Sequence, residues 1–147
     1  MYMNRKAEAL REKDAVAVLR EHGIKVSHQR VLILEYLLEH DTHPTVDTIY
    51  QDLLPHVPGL SKTTVYNTVR LFVEKGIAQE LTIEGTEFRY DIADPSHAHF
   101  KCVRCGALYD LPLPQELSAA LTVPPGFRLE ESHLYLKGLC PSCTRTN

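Results

Sequence analysis

No apolar run in the chain approaches the roughly 18–20 residues that a membrane helix requires, so no span is expected. The opening Met1-Tyr2-Met3-Asn4-Arg5-Lys6 has no apolar h-region, so no secretory signal is expected and the cytoplasm is the expected compartment. There is no internal repeat and no low-complexity segment. No cysteine precedes residue 100. Net charge is also scarce: 16 Lys and Arg against 19 Asp and Glu in 147 residues, or −3. A duplex repels an acidic body, so bulk charge disfavours nucleic-acid binding. The charge is unevenly spread, however. Residues 1–78 hold ten basic and ten acidic side chains, and residues 79–147 hold six and nine. Any DNA contact should therefore lie in the first part and depend on local placement of charge. With 44% hydrophobic and 24% charged residues, wholesale disorder is excluded.

Good helix formers over 5–22 predict a first helix, with Gly23 as its stop. Val31, Leu32, Leu34, Leu37 and Leu38 predict a second over 28–39. His43-Pro44 breaks the chain, and Thr45 can cap a third helix with Val46, Ile49, Tyr50, Leu53 and Leu54 in its core. Ser61 caps a fourth over 62–75, with Val65, Val69 and Phe72 on one side and Lys62, Thr63, Tyr66, Asn67, Arg70 and Glu74 on the other. Gln79–Ile83 and Phe88–Ile92 read as a β-hairpin. Residues 93–96 read as a hinge. Residues 97–147 mix short strands with one helix near 114–121, a lobe too small for an independent core without a metal, a disulfide or a partner subunit. His22, His40 and His56 read as solvated surface residues.

Three constellations carry chemistry. The first is Cys102-x-x-Cys105 with Cys140-x-x-Cys143. Two such turns can close a tetrahedral four-sulfur site, the preferred environment of a structural Zn²⁺, one per subunit. Two disulfides or a rubredoxin-like iron centre on the same four sulfurs are the other readings of that spacing, and the missing export signal weighs against disulfides. The second is His97-Ala98-His99. In a strand, i and i+2 point to one side, so both rings can reach one ion. Asp91, Asp110 and His43 are candidate companions, and imidazole with carboxylate suits Mn²⁺, Fe²⁺ or Zn²⁺. Packed or surface histidines are the plainer reading. The third is the helix–helix–helix–hairpin order of 28–92, that of a winged helix-turn-helix. Helix 62–75 would enter the major groove. Lys62, Thr63 and Thr64 would meet phosphates, Tyr66 a thymine methyl, Asn67 adenine, and Arg70 guanine or phosphate. Arg89 in the wing and Arg30 complete the candidate DNA contacts. A solvated polar face is the alternative.

With these residues laid out, the chain resembles the ferric uptake regulator (Fur) family over nearly its whole length. Leu19–Arg30 resembles the family's N-terminal signature, with His28 where proline is usual. His43-Pro44-Thr45-Val46-Asp47-Thr48-Ile49-Tyr50 and Ser61-Lys62-Thr63-Thr64-Val65-Tyr66-Asn67-Thr68-Val69-Arg70 resemble its next segment and its recognition helix. Arg89-Tyr90-Asp91, His97-x-His99 and the cysteine pairs follow in the same order. The resemblance implies a dimeric, metal-responsive repressor with a structural zinc. Its peroxide-sensing (PerR-like) branch holds a regulatory metal with three histidines and two aspartates, here at His43, Asp91, His97, His99 and Asp110. Iron-sensing members tend to carry glutamates at the two aspartate positions and often arginine at that of Asn67. A further metal site of the family would need ligands where this chain has Ser96 and Ala98; His133 and Glu116 are candidate remnants.

The expected protein is therefore α+β: a winged helix-turn-helix DNA-binding domain over 1–92, a hinge over 93–96, and a small α/β dimerisation lobe with a four-cysteine zinc site over 97–147. The implied function is a metal-dependent repressor on double-stranded, inverted-repeat DNA. It would sense peroxide through Fe²⁺-catalysed oxidation of His43 or His97, with Mn²⁺ giving an insensitive form. An iron- or manganese-responsive uptake regulator without peroxide sensing is the alternative. A hydrolase on His97, His99 and the aspartates has neither a His-Glu-x-x-His nor a nucleophile motif to support it. A zinc-stabilised module that binds no DNA is countered by the polar face of helix 62–75.

Overall fold

The computed structural model describes residues 14–40, 42–82, 87–93, 97–129 and 132–145, without the side chains of His97 and Ser118. They form two compact units that part between Ala93 and Asp94.

The first unit begins with α1 (Ala15–Glu21); residues 5–13 of the expected first helix lie outside the described ones. Its C-cap is His22, whose Nδ1 lies 2.7 Å from the Val18 carbonyl. Helix α2 (His28–Glu39) starts behind Ser27, whose hydroxyl accepts the Arg30 N–H at 3.3 Å. His28 is thus the first helical residue. Proline suits that place because its missing N–H would be unsatisfied there anyway, so histidine leaves the helix start intact. His40 caps the other end, stacked on Tyr36 at 4.0 Å with Nδ1 2.9 Å from the Tyr36 carbonyl. His22 and His40 are therefore half-buried capping residues, because helix ends leave carbonyls that a ring nitrogen can satisfy.

Thr45 caps α3 (Val46–Leu53), accepting the Thr48 N–H at 3.1 Å. The chain then tightens into a 3-10 turn, Leu54–His56. Pro55 cannot continue the α ladder, and the tighter turn leaves Leu54 38% exposed, where the pattern expected core. Helix α4 (Lys62–Glu74) buries Val65, Thr68, Val69 and Phe72 against α2, whose Ile33, Leu34, Leu37 and Leu38 are buried in the same core. Strands β1 (Ala78–Leu81) and β2 (Arg89–Ile92) pair antiparallel, with Glu80 opposite Tyr90. The turn at 83–86 lies outside the described residues. Ala93 donates its N–H to the Ile77 carbonyl at 2.9 Å, so it belongs to the wing; 94–96 of the expected hinge lie outside the described residues.

The second unit is a three-stranded sheet in the order β4-β3-β5, with β3 (His97–Cys102) central. Strand β4 (Leu108–Pro112) pairs antiparallel to it, and β5 (Tyr135–Gly138) parallel. Helix α5 (Gln115–Ala120) lies in the connection, and α6 (Pro141–Arg145) follows β5. Three cysteines with Leu139 against them form its buried apolar cluster. Phe127 is 71% exposed, and Leu117, Leu121 and Leu136 are more than 40% exposed. The whole is α+β, and among the described residues no helix is long and apolar enough to cross a membrane.

Candidate metal centres and nucleic-acid interface

The four cysteine sulfurs lie within 4.8 Å of one another, and none of the four is in a disulfide, which sets the disulfide reading aside. Cys102 ends β3, and the turn after it returns through Gly106 at φ +78°, a left-handed backbone suited to glycine. The Gly106 N–H reaches the Cys102 carbonyl at 2.9 Å. The second pair flanks the start of α6, with Pro141 as its first residue. Zn–S bonds of about 2.3 Å in a tetrahedron set sulfurs about 3.8 Å apart. Cys105 Sγ and Cys140 Sγ are 3.8 Å apart. The donor set and spacing fit a structural zinc. Electrostatics point the same way. The Cys102 thiol is drawn down to about 5, first by the backbone N–H of Cys105 and then by that of Cys140. Burial, and then the neighbouring sulfurs, push Cys143 up. Four thiolates this close need a cation to coexist.

Two histidine–aspartate pairs stand apart from the cysteines, one in each unit. In the first unit, His43 is buried at 3% exposure and takes φ +54°, rare for a residue with a side chain. Three successive residues of β2 hold it. Arg89 Nη1 donates to the His43 carbonyl at 3.1 Å, and the Tyr90 N–H donates to the Pro44 carbonyl at 2.9 Å. Asp91 Oδ2 lies 3.5 Å from His43 Nε2, while Asp91 Oδ1 accepts the Ile92 N–H at 2.8 Å. In the second unit, His99 and Asp110 are opposite in the β3–β4 register, with Nε2 3.4 Å from Oδ1. Both separations exceed the usual hydrogen-bond range. Two donors about 2.1 Å from one ion lie about 3.0–3.4 Å apart, so each pair fits two ligands of one metal. His97 opens β3 opposite Pro112. His133 and Glu116 are both exposed and join no group of candidate ligands among the described residues.

The candidate DNA contacts occupy the first unit. Thr63, Tyr66 and Asn67 are exposed on α4. Thr64 hydrogen-bonds Ser61 through its hydroxyl at 2.8 Å. Lys62 Nζ is 2.6 Å from Asp47 Oδ1 and lies over the Tyr50 ring. Arg30 Nη1 donates to the Lys25 carbonyl at 2.7 Å. A cleft of about 430 Å³ opens beside α4, lined by Lys25, Ser27, Arg30, Thr64 and Asn67 among others. Arg70 and Arg89 are committed inside the unit: Arg70 to Glu80 at 3.1 Å, Arg89 to the His43 carbonyl. Sequence reasoning missed Glu80, Tyr90 and Asp47. The hairpin register, which sets Glu80 opposite Tyr90, is the signal that would have found the first two.

The model of the ferric uptake regulator family matches residues 21–137. The chain is 36% identical over 133 residues to the peroxide-responsive repressor PerR of Staphylococcus aureus, covering 89% of this chain and 90% of that one. It is also 36% identical over 138 residues to the peroxide operon regulator of Bacillus subtilis, covering 90% and 93%. Among solved structures, the ferric uptake regulator of Pseudomonas aeruginosa with manganese shares the fold, with a TM-score of 0.73 at 24% identity over 88% of this chain and 99% of that one. With the family model spanning most of its length and two relatives above one-third identity, this chain belongs to the ferric uptake regulator family.

Proposed function

We propose that the chain is a metal-dependent transcriptional repressor that binds double-stranded DNA as a homodimer in the cytoplasm and releases it on exposure to peroxide, with no catalytic turnover. The observation that carries this reading is the donor set: His43 with Asp91, and His99 with Asp110, each at the separation of two ligands on one ion. Both acidic positions hold aspartate, as the resemblance to the peroxide-sensing branch implies. His97, at the start of β3, is assigned as the fifth ligand. The donors are imidazole and carboxylate, which suit Fe²⁺ or Mn²⁺, and the cysteines are assigned to one structural zinc per subunit.

In this reading, holding the ion favours the form that binds DNA. A ligand for that form shifts the equilibrium by its difference in affinity, about 1.4 kcal/mol per factor of ten. Fe²⁺ held by these residues would supply the chemistry that reduces H₂O₂ to water, and His43 or His97 would take up the oxygen, a ring C–H becoming C–OH. The altered ring donates more weakly, and the DNA-competent form loses its support. Lys62, Thr63, Thr64, Tyr66, Asn67, Arg70, Arg30 and Arg89 are the proposed DNA contacts, and the exposed apolar side chains of the second unit support burial against a second copy.

The test is intact mass before and after H₂O₂ on zinc-loaded protein with Fe²⁺ or Mn²⁺, paired with a DNA shift. The Fe²⁺ form is expected to gain one oxygen at His43 or His97 and release DNA, and the Mn²⁺ form to do neither. Metal-dependent DNA binding that peroxide leaves untouched would instead mark a plain metal-uptake regulator.

A further inference from the structure

Glu80 sits on β1 beside the recognition helix, and one oxygen does two jobs. Oε1 accepts Arg70 Nη1 at 3.1 Å and the Tyr90 hydroxyl at 3.0 Å. Tyr90 is 1% exposed, so the carboxylate is anchored from beneath by a buried phenol. The Glu80 and Arg70 side chains are 20% and 39% exposed, and the pair is thus shielded more than a freely solvated one. Arg70 lies one helical turn beyond the exposed Tyr66 and Asn67. The face that should meet a polyanion therefore carries a guanidinium whose charge is already balanced and whose direction is already set.

We propose that Glu80 is a specificity-determining residue of the DNA-binding surface: by pairing with Arg70 it subtracts one cation from sequence-independent phosphate attraction and holds the guanidinium for a base-edge or phosphate contact made only at the right site. This rests on the repressor reading. A free arginine contributes to every duplex through counterion release, and a paired one contributes only where the local geometry compensates for loosening the pair.

The experiment uses the full-length, zinc- and Mn²⁺-loaded protein as wild type, Glu80→Gln, Tyr90→Phe, Arg70→Ala and the Arg70→Ala/Glu80→Gln double variant. The probes are a duplex selected by the wild type from a random pool and an unselected random-sequence duplex. Binding is followed by fluorescence anisotropy across a salt series. Glutamine keeps one acceptor oxygen able to serve both hydrogen bonds, removes the charge, and replaces the other oxygen with an NH₂ group. Glu80→Gln is expected to tighten binding to the random duplex by up to ~8-fold per subunit at about 0.1 M salt and to steepen the salt slope by about 0.9 per subunit. The selected duplex should gain less, so the ratio between the two shrinks. Tyr90→Phe, which releases the anchor, should move the ratio the same way by less. In the Arg70→Ala background Glu80→Gln should change the random-duplex affinity less than about twofold, because no partner cation remains to be released. An unchanged affinity ratio in Glu80→Gln overturns the proposal. So does an equal gain in the Arg70→Ala background, which would mean simple repulsion by the carboxylate. If the metal-loaded wild type selects no sequence at all, the repressor reading fails first and takes this inference with it.

Discussion

His43 shows how much one backbone conformation decides. Its φ of +54° places it in the left-handed region, where a side chain is rarely tolerated, and the following proline narrows its freedom further. Such a conformation persists only when its surroundings over-determine it. Arg89, Tyr90 and Asp91 do so, gripping two carbonyls and the ring from one strand. Motif reading could single out His43 and Asp91 but had no access to the grip itself, since 46 positions separate Arg89 from His43. Ser61 is the opposite case: its role is local and legible. Its hydroxyl accepts the Thr64 N–H at 3.0 Å and satisfies an otherwise orphan donor at the start of α4. Ser61→Ala should cost about 1 kcal/mol in urea unfolding, and Ser61→Gly only a few tenths.

One buried phenol ties helix α2 to α3, and another ties the two strands of the hairpin to each other. The Tyr36 hydroxyl donates to Asp52 at 2.5 Å, joining α2 to α3, and the Tyr90 hydroxyl donates to Glu80 across the hairpin. Burial first, and then the carboxylate beside each, hold both phenols well above their ordinary value of 10.0. A group raised in the folded state contributes stability that is complete below its unfolded pKa and lost as pH rises toward the folded one. The protein should therefore keep this contribution up to about pH 10 and lose it progressively above. Tyrosinate absorbance should show these two tyrosines ionising late, and Tyr36→Phe should soften the alkaline loss of stability. Helices α3 and α4 begin directly after Thr45 and Ser61, the caps the sequence offered, and α2 covers the 28–39 that its apolar face predicted. The far end of α3 was less legible: Leu54 turned outward because a proline converts the last turn, a change that depends on hydrogen-bond geometry and not on apolar spacing.

The two units differ in how they are held together. The first has a continuous apolar core running from Val18 through Ile33, Leu37 and Phe72 to Tyr90. The second has cysteines where a core would be and leaves large apolar side chains in solvent. A chelator strong enough to strip zinc, or Cys105→Ser, should therefore abolish the dimer and the folded second unit while a separate cooperative melt of the first survives. Size-exclusion chromatography with light scattering, beside differential scanning calorimetry, reads both. Coincident loss of both transitions would show that the first unit depends on the second.

Spacing within a few residues of one another carried the helix starts, the cysteine pairs, the hairpin and the polar face of α4, because caps, periodicity and tight turns act over a single turn or strand. The same local reading left the charge state of that face open. Arg70 looked like a free cation on a helix surface, and folding set it against Glu80, ten positions away, with Tyr90 beneath. Lys62 gained Asp47 and Tyr50, and Arg89 was drawn to the His43 carbonyl. Long charged side chains reach whatever the packing of distant elements brings near, so their partners are a property of the assembled fold.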